Sequence, residues 1–191
     1  MRADARRNYE RILGAAGAIV AAHGAQASLE EIARQAGVGS ATLHRHFPSR
    51  QALLEAVFRD RVEALCAKAH DLANSLDPWP ALTTWLRAVG THATANRGLA
   101  TAIMSGTPGG DPTLGATCHT MIMDAGDALL VRARRAGSVR PDVTTADLLK
   151  LVSAIALAAE PEPDSAADVD RLVTLAIEGV RTRCTGNESA K

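Results

Sequence analysis

The sequence predicts an all-α fold of about nine helices, with a compact N-terminal three-helix domain followed by a larger helical domain. Three observations lead there. Apolar residues recur at i, i+3, i+4 and i+7 along almost the whole chain. No segment alternates with period two, and β-branched residues never gather between turn signals. The 191 residues are 47% hydrophobic but only 3% aromatic, so the cores are built mainly from Ala, Leu, Val and Ile. Alanine has the highest helix propensity and a very small side chain, which favours closely packed helices.

The elements follow in order. The first helix carries Tyr9, Ile12, Leu13, Ala16, Ile19, Val20 and His23 on one face and stops at Gly24. A capping box opens the second: Ser28 accepts from the amide of Glu31, and Glu31 reaches back to the amide of Ser28. Leu29, Ile32, Ala33 and Ala36 form its inner face. Gly37-Val38-Gly39 breaks it, and Ser40 caps a short third helix that ends before Pro48. Ser49 caps a fourth, with Leu53, Leu54, Val57, Phe58, Val62 and Leu65 facing inward. Asn74 to Pro80 (NSLDPWP) is the next break. Then come a helix from about Ala81, a short helical piece near Leu99 to Met104, and the loop SGTPGGDP (Ser105–Pro112). A long helix from about Thr113 to Ala136 carries Leu114, Cys118, Met121, Ile122, Ala125 and Leu129 on one face, closed by Gly137 and Pro141. The last two helices, near Thr144–Glu160 and Ala166–Cys184, are joined by the PEPDS turn and so run antiparallel.

Charge and chemistry narrow the function classes. Net charge is zero, yet residues 1–61 hold nine arginines against six acidic groups, a net of +3, and the remainder is −3. A basic head on an acidic body suits a nucleic-acid reader whose second half has another task. Cys66, Cys118 and Cys184 are far apart and read as small hydrophobes in a reducing compartment. The polar start MRADARRNYE has no apolar signal core, and the longest apolar stretch, Leu148 to Ala159, is too short for a bilayer. A cytoplasmic protein is expected. His92 and His119 have no second ligand at i+3 or i+4, so no metal or cofactor is expected. The SGTPGGDP loop lacks the Lys-Ser/Thr of a phosphate-cradling loop. No nucleophile–base pair or carboxylate pair is readable, which argues against an enzyme.

The informative stretch is Ser28–Leu54, SLEEIARQAGVGSATLHRHFPSRQALL. Two short helices around a glycine turn make a helix-turn-helix, with Ile32, Ala33, Val38, Leu43 and Phe47 as inner contacts. Small residues at the outward tip, Gly39, Ser40, Ala41 and Thr42, with His44, Arg45 and His46 behind them, let that tip enter a major groove. The segment resembles the N-terminal domain of the TetR family: S-x-x-x-I-A-x-x-A-G-V, a short helix, then F-P-S-R-x-x-L. The likeness covers roughly residues 4–60. It implies a DNA-binding domain over 1–60, a ligand-sensing and dimerisation domain over 61–185, and a flexible tail over 186–191. It also implies base contacts from Thr42 and Arg45, since Arg can bond two guanine acceptors and a Thr methyl can pack on thymine. Phosphate contacts fall to Ser28, Ser40, His44, His46 and Arg50, with the fourth helix's N-terminus near Ser49 and the arginines Arg2, Arg6 and Arg7 in support. The family usually has Tyr where this chain has His44 and often Lys where it has Arg50; Arg50 keeps the charge. Two histidines in the recognition helix lead us to expect tighter operator binding below pH about 6.5.

The second half resembles the family in layout, through the RRAGSVRPDV turn and two closing helices. Leu148, Leu149, Leu151, Val152, Ile155, Ala156 and Leu157 leave one closing helix apolar on nearly every side, as a helix buried by its own domain and by a partner would be. Val169, Leu172, Val173, Ala176, Ile177 and Val180 add to it, with Gly179 read as a point of close approach. A homodimer through these helices is expected. Trp85, Leu86, Val89, His92, Met104, Cys118, Met121 and Ile122 are candidates to line a pocket for an unknown, largely apolar effector. The expected function is a repressor bound to a palindromic operator and released by that effector. Two other readings stay open: a nonspecific or architectural DNA binder, and a helical binding protein or enzyme with a vestigial head.

Overall fold

The computed structural model describes residues 2–96, 99, 111, 113–159 and 165–182. Among these the regular structure is entirely helical, with eight α-helices and one 3-10 turn. The helices are α1 Arg2–His23, α2 Leu29–Ala36, α3 Ser40–His46, α4 Arg50–Ser75, α5 Pro78–Ala95, α6 Leu114–Arg135, α7 Thr145–Ala158 and α8 Ser165–Glu178. The all-α expectation holds. Apart from Leu99 and Asp111, the expected piece at 99–104 and the SGTPGGDP loop lie outside the described residues, as do the PEPD of the PEPDS turn and the tail.

The chain divides into two compact units, residues 1–64 with 92–121 and residues 65–91 with 122–191. The divisions fall inside α4, α5 and α6. In the first unit, the periodic faces of four helices converge. Ile12, Ala16, Ile19 and Val20 of α1 pack with Ile32, Ala33 and Ala36 of α2, Leu43 of α3, and Leu53, Leu54 and Val57 of α4. The 3-10 turn Gly24–Gln26 follows α1, with Gly24 at φ 62. A polar strap in this unit joins α4 to Asp111, three residues ahead of α6: the amide of Asp111 donates to Glu55 Oε1 at 3.0 Å, and Arg59 meets the Asp111 carboxylate at 3.3 Å.

In the second unit, Trp85 of α5 is completely buried. Its indole N–H donates to the carbonyl of Leu65 at 3.1 Å, which satisfies the one polar atom the ring brings inside. Leu82, Leu86 and Val89 of α5, Leu129 and Leu130 of α6, Leu148 and Val152 of α7, and Val169, Val173 and Ile177 of α8 surround it. Gly126 of α6 makes room for the ring: a Cβ there would sit 3.0 Å from two of its carbons. Thr144 and Asp147 form a reciprocal capping box at the start of α7.

Two expectations need correction. The last helix ends at Glu178, six residues before Cys184: the amides of Gly179, Val180 and Arg181 turn to carbonyls three residues back, and the chain leaves the helix there. The amide of Arg140 donates to Val180 at 3.2 Å and that of Thr182 to Ser138 at 3.1 Å, pairing Val139 with Arg181 in a single antiparallel bridge. Gly179 therefore lies past the helix end rather than in its packing face. No helix among the described residues is long and apolar enough to cross a membrane.

Candidate nucleic-acid interface

The helix-turn-helix is set by two glycines with different tasks. Gly37 adopts the left-handed conformation, φ 63 and ψ 39, and its amide bonds back to α2 carbonyls, ending that helix in one residue. Arg11 of α1 donates to the Gly37 carbonyl at 3.3 Å, tying the turn to the first helix. Gly39, extended at φ −73 and ψ 152, is the N-cap of α3 and offers no side-chain bond. This corrects the expectation that Ser40 caps the helix; Ser40 is its first residue. Phe47 ends α3, its amide bonded to Leu43 at 2.8 Å, and Ser49 then caps α4 by accepting from the amide of Ala52 at 3.0 Å.

With Leu43 and Phe47 buried, the rest of α3 has one outward face. Gly39, Ser40, Ala41, His44 and Arg45 are exposed, and Thr42 is half-buried beside them. The N-terminal end of this face is small and the C-terminal end basic. A short rod shaped so can approach base edges without obstruction, with basic groups on the same face to meet base acceptors and phosphate.

Ser28, His44 and Arg50 come from three elements, yet one carboxylate, that of Glu30, feels all three, Ser28 by a direct bond and the other two through their charge. Ser28 Oγ accepts from the amide of Glu31 at 3.3 Å and donates to Glu30 at 2.8 Å. That bond, with a backbone amide and the charges of Arg50 and His44, holds the Glu30 carboxyl below its usual range. The return bond expected from Glu31 is replaced by an exposed pairing with Arg34 at 3.8 Å. Glu30 was not legible as a member of this group, because His44 and Arg50 are 14 and 20 residues away from it in sequence.

His46 differs from the other candidates. Its ring lies edge-on to Tyr9 at 6.2 Å and its Nε2 is buried without a hydrogen-bond partner. Tyr9, placed by sequence on the inner face of α1, is 38% exposed and stacks on Phe47 at 5.1 Å, so the aromatics brace α1 against the end of α3. Of the N-terminal arginines, Arg6 pairs with Glu10 at 2.9 Å and Arg7 with Asp4, both within α1.

The effector candidates fall in both units. In the second, Trp85, Leu86 and Val89 belong to the buried core and Ile122 packs against it. In the first, His92 is half-buried beside Phe58, ring centres 6.0 Å apart, and burial with the nearby charge of Arg61 holds its imidazole below the usual value. Cys118 is buried, and that burial pushes its thiol up. Met121 is half-buried, and Met104 lies outside the described residues. Among the described residues no group of three or more His, Cys, Asp or Glu could hold a metal ion.

Two family models match this chain. Residues 12–57 match the bacterial regulatory proteins of the tetR family, and residues 77–182 match the C-terminal domain of SbtR-like transcriptional regulators. Among solved structures, a TetR transcriptional regulator from Streptomyces coelicolor is 39% identical with a TM-score of 0.78, covering 91% of this chain and 98% of its own. A TetR transcription regulatory protein from Mycobacterium vanbaalenii is 34% identical with a TM-score of 0.75, covering 95% and 99% respectively. No curated protein matches.

Proposed function

The chain belongs to the TetR family of bacterial regulatory proteins, and from that premise we propose that it is a repressor that binds a palindromic operator as a homodimer and leaves it when a small effector binds. The observation that carries the reading is the outward face of α3, small at Ser40 and Ala41 and basic at His44 and Arg45. In this reading residues 1–60 read DNA. Arg45 and Thr42 meet base edges from the exposed side of α3, and Ser28, Ser40, His44 and Arg50 meet phosphates. The inward ring of His46 favours a bracing role behind that surface.

Residues 61–185 sense the effector and dimerise. The dimer is supported by Leu157, Leu175 and Leu172, which are 72%, 62% and 36% exposed on α7 and α8. Leucines that open to water on helices otherwise packed in a core fit an isologous interface between two copies. The effector acts by binding better to a spacing of the two recognition helices other than the 34–36 Å, roughly, that successive major grooves require. Effector and operator then weaken each other's binding by the same factor.

Selection of bound fragments from a random DNA pool tests the reading. The expected product is one inverted repeat, bound far more tightly than bulk DNA, with Arg45→Ala relaxing the preference at one base position of each half-site. Recovery of unrelated sequences with steep salt dependence and little specificity would mark a nonspecific DNA binder instead.

A further inference from the structure

The guanidinium of Arg61 on α4 is half-buried, and its hydrogen-bond partners are both neutral. One N–H2 donates to the carbonyl of Gly17, in the middle of α1, at 2.7 Å; the other donates to Asn96 Oδ1, just beyond the end of α5. These partners lie 44 and 35 residues away in sequence. Asn96 is itself buried, 4% exposed, and both ends of its amide are engaged. Its N–H2 donates to the His92 carbonyl at 2.8 Å and lies 3.2 Å from His92 Nδ1.

We propose that Arg61 is a positioning residue of the DNA-reading unit: it fastens α1 to the end of α5, and Asn96, oriented by His92, keeps it there. The proposal rests on the reading of that unit as a DNA reader.

Donor and acceptor matching decides how this group is held. A guanidinium has donors only, and away from water each needs an acceptor. Asn96 supplies one only in its present orientation. Turning the amide over would set its N–H2 against the guanidinium, donor against donor, and leave the His92 carbonyl facing an oxygen. The bond to the His92 carbonyl thus fixes the amide, and the amide fixes Arg61. A neutral His92 completes the chain, since its unprotonated Nδ1 accepts from the same N–H2; burial first and then the charge of Arg61 favour that neutral form. At the other end, Gly17 lies between Ala16 and Ile19, which pack in the core with Ile32 and Leu43 of the helix-turn-helix. Displacing α1 at Gly17 therefore shifts the surface that α3 rests on, and packed interiors transmit such shifts.

The test compares the full chain with Asn96→Leu, Asn96→Asp and Arg61→Lys, using the inverted repeat recovered from the selection. Asn96→Leu removes the acceptor, and operator affinity is expected to fall about tenfold, the usual scale for stranding a hydrogen-bonded charge. Asn96→Asp loses the donor to His92 but keeps an oxygen facing Arg61 and adds a charge that strengthens that bond, so it is expected to stay within about threefold of wild type. Arg61→Lys keeps the charge but reaches one acceptor and is expected to fall between them, which keeps the idea testable should Asn96→Leu fold poorly. Hydrogen exchange at residues 18–22 of α1 is expected to quicken in Asn96→Leu and not in Asn96→Asp, with α8 unchanged. Wild-type affinity and wild-type exchange in a folded Asn96→Leu, or an Asn96→Asp as weak as Asn96→Leu, would overturn the proposal. Should wild type bind no fragment, the repressor reading fails, and the exchange measurement still decides whether Arg61 ties α1 to α5.

Discussion

At the scale of single residues, the glycines separate by what their backbone must do. Gly37 sits at φ 63, where a side chain is strained, and a Cβ there would press on the Arg11 guanidinium that bonds its own carbonyl. Gly14 has ordinary helical backbone in α1 and nothing within 4 Å of a built Cβ. Gly37→Ala is expected to lower the unfolding free energy by about 1 kcal/mol, the left-handed cost for an L-residue. Gly14→Ala is expected to raise it by about 0.5–1 kcal/mol, the helix-propensity difference. Urea melts of the two variants check the pair; a shift of the same sign in both would contradict the assignment.

At the scale of elements, α7 shows how a helix start carries its own pH dependence. Thr144 accepts from the amide of Asp147 at 3.1 Å, and the Asp147 carboxylate accepts from the amide of Thr144 at 3.0 Å. The Thr144 hydroxyl first, then its amide, hold the Asp147 carboxyl below its usual range. A carboxyl whose folded pKa is depressed adds stability above its unfolded pKa, and that contribution is lost as pH falls through the folded value. Thr144→Ala is expected to cost about 1 kcal/mol near neutral pH, as N-cap losses do. The gap between variant and wild type should shrink as pH drops below the ordinary aspartate range. Thermal melts of both proteins at several pH values measure it, and a gap that widened in acid would reverse the sign argued here. The Ser28 start of α2 lacks this reciprocity, because Glu30 takes the hydroxyl hydrogen and Glu31 turns to Arg34.

At the scale of the whole molecule, the closing helices carry the proposed assembly. Val152, Val173 and Ile177 are buried within the protomer, so apolar character along α7 and α8 alone does not mark a contact between copies. Leu157 and Leu175 are the largely exposed exceptions. The double variant Leu157→Glu, Leu175→Glu is expected to remain helical but sediment as a monomer, and to lose operator affinity with the dimer, because the half-sites then bind independently. A variant that still sediments as the wild type does would remove these helices from the interface.

Local signals were enough for much of this. Period and breakers marked the described helices: Gly24 closes α1, Ser28 caps α2, Pro48 and Ser49 separate α3 from α4, and the fixed spacings over 4–60 identified the family. These are effects between residues a few positions apart, and a sequence displays them directly. Tertiary structure alone decided the rest. It brought the charges of His44 and Arg50 to bear on Glu30, turned His46 inward beneath Tyr9, stopped the last helix at Glu178 to pair Val139 with Arg181, and joined Arg61 to Gly17 and Asn96. Each of these depends on which distant segments meet, and a donor or charge carries no mark in the sequence of the partner that will satisfy it.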